Sequence, residues 1–94
     1  VYGSIERDGS RRFGAGFNVR RQSKGEYVIT FHVAFKRPPA IVATAEHAEE
    51  KPRKVLNVVL DKQTDDGRSA VILIQTPDGK PNDNRFSFVA VAAL

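Results

Sequence analysis

Two histidines are the only side chains of this chain whose ordinary charge change falls near neutral pH, and there is no cysteine. A hydrolase needs a nucleophile, a base and a group that orients the base. His32 ends the alternating run Tyr27–His32, on the same face as Val28 and Thr30. That is the place of a structural or interface histidine. His47 stands in Ala45-Glu46-His47-Ala48-Glu49-Glu50, where carboxylates beside an imidazole could hold a metal. Metal sites draw their ligands from more than one such cluster, and no second cluster accompanies this one. The expectation is a non-enzymatic protein with no catalytic residue, no metal and no cofactor.

The remaining motifs read as backbone chemistry. Asp65-Asp66-Gly67 and the stretch Pro77-Asp78-Gly79 to Asn84 set acids beside glycine, as calcium loops do, but the full EF-hand spacing is missing. Hairpin turns use the same residues. Gly14-Ala15-Gly16 has no following helix to make it a phosphate loop. Tyr2, Phe13 and Phe17 lie near Arg11, Arg12, Arg20 and Arg21, a pattern that could stack single-stranded nucleic acid. Phe13 and Phe17 fit core alternation equally well. The net charge of +4 comes from 15 basic residues scattered among 11 acids, so nucleic acid is not an expected partner.

A polar pool remains that could read a sugar or a receptor: Tyr27, Asn57 and the loop Asn82, Asp83, Asn84 and Arg85. The loop offers amides, a carboxylate and a guanidinium in consecutive positions. It is the candidate ligand-binding site, with Asn84→Ala plus Arg85→Ala expected to abolish binding at nearly unchanged melting temperature. Turn chemistry accounts for the same residues without any ligand.

What must position these residues is legible from the punctuation. Gly, Pro, Asn and Asp recur at short intervals between β-branched and aromatic runs, the pattern of an all-β sandwich or barrel. Ninety-four residues make one domain, and about seven short antiparallel strands are expected. The runs are Val1–Ile5, Phe17–Arg21, Tyr27–His32, Ala40–Ala45, Val55–Leu60, Ala70–Ile74 and Phe86–Val91. Phe13-Gly14-Ala15-Gly16 reads as an irregular stretch or bulge. Pro38-Pro39 marks a connection or sheet edge. The charged segment Glu46–Lys54 reads as a solvated loop, with a short helix over Ala45–Lys51 as the alternative. No apolar run is long enough to span a membrane as a helix. Val1 opens the chain and Met is absent, which reads as a piece of a longer polypeptide.

Val58-Val59-Leu60 and Val71-Ile72-Leu73-Ile74 are apolar on both strand faces. An antiparallel sheet usually shows one face to water. Either these strands are buried within one chain, or a second copy covers the outer face. A homo-oligomer, a trimer, is expected from the second alternative.

Tyr2-Gly3-Ser4-Ile5, Asp8-Gly9 and Gly14-Ala15-Gly16-Phe17-Asn18-Val19 resemble the small β domains that end bacterial and phage fibre-like or collagen-like proteins. Gly25 to Phe31, followed by Phe35 and Pro38-Pro39-Ala40-Ile41-Val42-Ala43-Thr44, continues the likeness. The second half, with Phe35, Pro38, Pro39 and the late strand Phe86-Ser87-Phe88-Val89-Ala90, is similar to the H-type lectin domain. The resemblance implies a β-sandwich, often trimeric, at the distal end of an elongated protein outside the cell or on a virion. It further implies recognition of N-acetylgalactosamine-type sugars between subunits.

Overall fold

Among the described residues eight strands form and no helix, and each strand begins or ends close to a residue that breaks alternation. They are β1 (Tyr2–Ile5), β2 (Arg11–Gly14), β3 (Phe17–Ser23), β4 (Glu26–Phe31), β5 (Ala40–Ala45), β6 (Asn57–Gln63), β7 (Ser69–Gln75) and β8 (Phe86–Val91). The computed structural model describes residues 1–33, 35–46 and 55–92. Two four-stranded antiparallel sheets face each other. The first has the order β2-β1-β8-β5 and the second β3-β4-β7-β6. This is the expected all-β sandwich, with one strand more than about seven. The extra strand is β2, where an irregular stretch was expected. Phe13 pairs with Ser4 and Gly14 with Gly3, while the irregularity falls one step away as a register shift between Ser4 and Ile5.

Alternation decides what is inside. Tyr27, Ile29 and Phe31 of β4, Ala70, Ile72 and Ile74 of β7, and Phe86, Phe88 and Ala90 of β8 are all buried. Ile5 and Phe17 complete the core. The aromatic rings set the sheet spacing: Phe17 meets Phe88 edge-on at 4.9 Å between centroids, and Tyr27 meets Phe86 at 5.0 Å. Such pairs bind by both area and quadrupole. Gly3 exists for this packing, since a Cβ there would lie 2.4 Å from the Phe17 ring.

Three of the hairpin-type turns share one construction. In Glu6–Ser10, Thr64–Arg68 and Thr76–Lys80 the N–H of Gly9, Gly67 or Gly79 donates to the carbonyl three residues back. Each of these glycines has positive φ. The aspartate before each glycine accepts locally: Asp8 from Ser10, Asp66 from Thr64 and the Arg68 N–H, Asp78 from Thr76. The Asp-Gly pairs are therefore turns with their carboxylates already partnered.

The doubly apolar strands are not both buried within the chain. β7 sits between β4 and β6, with its outer face only half covered. β6 is an edge strand, and Val55, Val59 and Leu60 beside and along it are exposed. Among the described residues nothing covers the outward Val59, and the outward Val71 and Leu73 are only half-buried, while Leu60 faces the space between the sheets.

One backbone position carries the turn between β3 and β4. Gly25 has φ +70°, and a Cβ on it would lie 2.6 Å from the Ile74 carbonyl oxygen and 2.7 Å from the Asn82 nitrogen. Gly25→Ala should therefore cost roughly 2–4 kcal/mol, combining left-handed strain with overpacking against backbone. Equilibrium urea denaturation checks this, and Gly79→Ala, whose Cβ meets nothing within 4 Å, separates the strain from the clash.

Candidate functional site

The loop expected to bind a ligand lies where the two sheets meet at one end of the sandwich, and its polar atoms face inward. The Asn82 N–H donates to the Ile74 carbonyl at 2.9 Å, anchoring the loop to β7. The Asp83 carboxylate oxygen Oδ1 accepts from the Gly25 N–H at 2.7 Å and from Arg21 Nε at 2.9 Å. It also lies 3.5 Å from the Tyr27 hydroxyl. That hydroxyl donates to the Arg7 carbonyl at 2.7 Å and accepts from the Asn84 N–H at 3.3 Å. Asn84 Nδ2 donates to the Glu46 carbonyl at 2.8 Å and to the Arg85 carbonyl at 2.7 Å. Arg85 forms a two-pronged pair with Glu6, Nε to Oε1 at 2.7 Å and Nη2 to Oε2 at 3.2 Å. Four consecutive residues thus tie β7, the β3–β4 turn, the β1–β2 turn and the end of β5 together.

The electrostatics follow from this geometry. Burial pushes the Asp83 carboxyl up, but the Arg21 and Gly25 hydrogen bonds and the Arg21 charge outweigh it, so Asp83 stays below the usual carboxylate range. Burial raises the Tyr27 phenol to about 12, and the nearby Asp83 charge adds to the rise. The Glu6 hydrogen bond raises Arg85, which stays cationic throughout.

The structure brings Asn82, Asp83, Asn84, Arg85 and Tyr27 together as one joint. Asn57, on β6, meets this group only across the cleft between β5 and β6, which Asn57 and Asn84 both line. His32 is exposed and its Nε2 is 3.2 Å from Asn18 Oδ1, which is a surface contact. His47, Glu49 and Glu50 lie outside the described residues, as does most of the segment in which a loop or short helix was expected. The aromatic and basic group also divides. Phe17 is buried with the Arg11 guanidinium 5.5 Å over its ring, whereas Phe13 and Tyr2 are exposed on the other face of the first sheet.

Two surface features stand out that residue types in the loops did not signal. The first is the outer face of the first sheet. Register places Tyr2 opposite Val89, and Val89 opposite Val42, in one row, with Val91 and Phe13 in the adjoining rows. Their exposures are 64% for Tyr2, 40% for Val89, 66% for Val42, 62% for Val91 and 49% for Phe13. At its corner the Arg12 guanidinium lies 5.4 Å over Phe13 and 4.0 Å from Glu46, whose other oxygen accepts from the buried Ser4 hydroxyl. Period-two alternation in Val89 and Val91 was the available signal.

The second feature is a cleft between the edge strands β5 and β6. It has an outer part of about 650 Å³, lined in part by Ala43, Ala45, Glu46, Leu56, Val58 and Asn84. An inner part of about 240 Å³ is lined by Ile41, Val42, Ala43, Val58, Leu60 and Ile72. The interior between the aromatic rings is filled, but among the described residues the sandwich stands open at this side.

Comparison of the chain with known protein families, with curated proteins and with solved structures finds no match.

Two outcomes follow. A carboxylate held below its unfolded value contributes stability that is complete above about pH 4 and is lost as pH falls through the folded value. Asp83→Ala should flatten the acid limb of the stability–pH curve and cost about 1–3 kcal/mol at neutral pH, since the buried Gly25 N–H loses its acceptor. Urea midpoints between pH 2 and 7 check both. Conversely, Asn84→Ala with Arg85→Ala should lower the melting temperature, because it removes the Glu6 pair and the bond to Glu46. That corrects the expectation of an unchanged melting temperature, which took these side chains to reach outward to a ligand, whereas they bond to Glu6 and to the Glu46 carbonyl.

Proposed function

We propose that this chain is a non-enzymatic adhesion or fibre-tip module that works as a homotrimer, its copies meeting on the outer face of the first sheet. One observation carries this: five large apolar side chains are exposed on a single face in a chain where 28% of residues are charged. Contiguous exposed apolar surface marks a place for a partner. The opposite sheet supports the choice. There the outward Val28, Val71 and Leu73 are half-buried, Val59 beside Leu73 is the one exposed large apolar residue among the described residues of that face, and they stand among Arg20, Glu26 and Lys62.

Four strands about 4.8 Å apart and about six residues long make a face of roughly 400 Å². A standard interface covers about 800 Å² on each partner. The face is therefore smaller than a standard interface whatever the number of copies; three is the number implied by the resemblance to the fibre-tip domains. A surface carbohydrate or receptor is the proposed target. Among the described residues no helix is long and apolar enough to cross a membrane.

A second reading, a purely structural trimerisation domain without ligand, is favoured by the inward use of the Asn82–Arg85 polar atoms. A glycan array probed with the intact chain divides the two readings.

Light scattering and sedimentation velocity at tens of micromolar should give three times the 10.4 kDa chain mass. Tyr2→Ser with Val89→Asp should give the chain mass while retaining the far-ultraviolet spectrum. A wild-type monomer under these conditions removes the proposal.

A further inference from the structure

A four-stranded sheet has two edges, and this sandwich therefore has four, each a row of backbone groups able to pair with another chain. Three are protected. On β3, Arg11 Nη1 donates to the Phe17 carbonyl at 3.1 Å, and the β1–β2 turn packs on Arg21 so closely that a Cβ on Gly9 would be 2.6 Å from the Arg21 nitrogen. The edge strand β2 has only four residues and begins with Arg11 and Arg12. On β6 the register shifts between Leu60 and Lys62, beside Asp61. These are the usual devices against edge pairing: charge, shortness and bulges.

Strand β5 has none of them. Its six residues, Ala40 to Ala45, carry no charge, glycine, proline or register shift. Which backbone groups are open follows from the ladder. The Glu46 N–H donates to the Arg85 carbonyl, so Thr44, Val42 and Ala40 make the bonds to β8 in turn. The other side of β8 agrees, since Ala90 exchanges bonds with Val1. Ile41, Ala43 and Ala45 therefore point their N–H and C=O groups away from β8, and no described residue bonds them. Side-chain amides close both ends of the row: Gln63 Nε2 donates to the Pro39 carbonyl at 2.7 Å and Asn84 Nδ2 to the Glu46 carbonyl.

We propose that the open edge of β5, with the cleft behind it, accepts an extended peptide strand of another protein, about six residues long and apolar at alternate positions. Only an extended backbone satisfies alternating donors and acceptors at this spacing. Because β5 and the inner cleft are uncharged, a charged strand gains no partner there and loses hydration. The cleft also decides between a foreign strand and a second copy. In an edge-to-edge dimer the inward side chains of the second β5, Ile41 and Ala43, already pack on that copy's own core. They leave the space between β5 and β6 empty. A separate strand brings side chains of its own, and those at alternate positions enter the cleft beside Val58, Leu60 and Ile72.

The probe is a capped six-residue peptide alternating valine and threonine, titrated into the intact chain and followed by amide NMR and hydrogen exchange. Shifts centred on Ile41, Ala43, Ala45 and Val58, with exchange at the Ile41, Ala43 and Ala45 amides slowed at least tenfold, are expected. Ala43→Pro removes an outward N–H that the fold does not use, which edge strands tolerate, and should weaken binding at least tenfold. The same peptide N-methylated at alternate amides tests the bonds without altering the protein and should also bind at least tenfold more weakly. Three results would overturn the proposal: no shifts at millimolar peptide, equal binding of the methylated peptide, or the three amides already protected in the peptide-free protein. The last would mean that a second copy or another part of the chain covers the edge.

Discussion

The Asp83 carboxylate is the contact on which the rest of the structure leans. Its Oδ1 accepts the Gly25 N–H and the Arg21 guanidinium and lies against the Tyr27 hydroxyl, where the hydrophobic core ends. A sandwich of this size has limited apolar area to hold two sheets together. At the middle of the sheets the rings of Phe17, Phe31, Phe86 and Phe88 do that work. At the end, where the chain crosses from the second sheet back to the first, backbone groups must be buried and need partners. Asp83 accepts the Gly25 N–H, Asn84 donates to the Glu46 and Arg85 carbonyls, Arg85 pairs with Glu6, and Tyr27 bridges the apolar and polar parts with one side chain.

This arrangement separates what was legible in the sequence from what was not. The strands could be read because alternation is a local property: Tyr27, Ile29 and Phe31 declare their face without any partner. Turns at Asp8-Gly9, Asp66-Gly67 and Asp78-Gly79 were equally local. Strand β2 was missed because its two residues after Arg11-Arg12 are Phe13 and Gly14, which as types favour a bulge, and only pairing with β1 makes them a strand. The role of Asn82 to Arg85 was hidden for a different reason. Residue types in a polar loop state their hydrogen-bonding capacity but not the direction in which they use it. Contacts such as Arg85 with Glu6, 79 residues apart, exist only in the fold.

With the loop turned inward, the outward chemistry moves to the sheets. The first sheet presents Tyr2, Val89, Val42 and Val91 to solvent, and its edge strand β5 leaves alternate backbone groups open. The second sheet is screened by charge on its outer face and by a bulge at its β6 edge. The proposed association by burial and the proposed backbone pairing therefore fall on the same sheet but use different atoms, so each can be altered alone.

The central claim is that residues 82–85 are part of the folded frame and not a free loop. Native-state hydrogen exchange of the Gly25, Asn82 and Asn84 amides across a urea series tests it most directly. All three should exchange only through global unfolding, with the same urea dependence as the core amide of Ile72. Exchange of these amides through a small, urea-independent opening, while Ile72 stays protected, would contradict it.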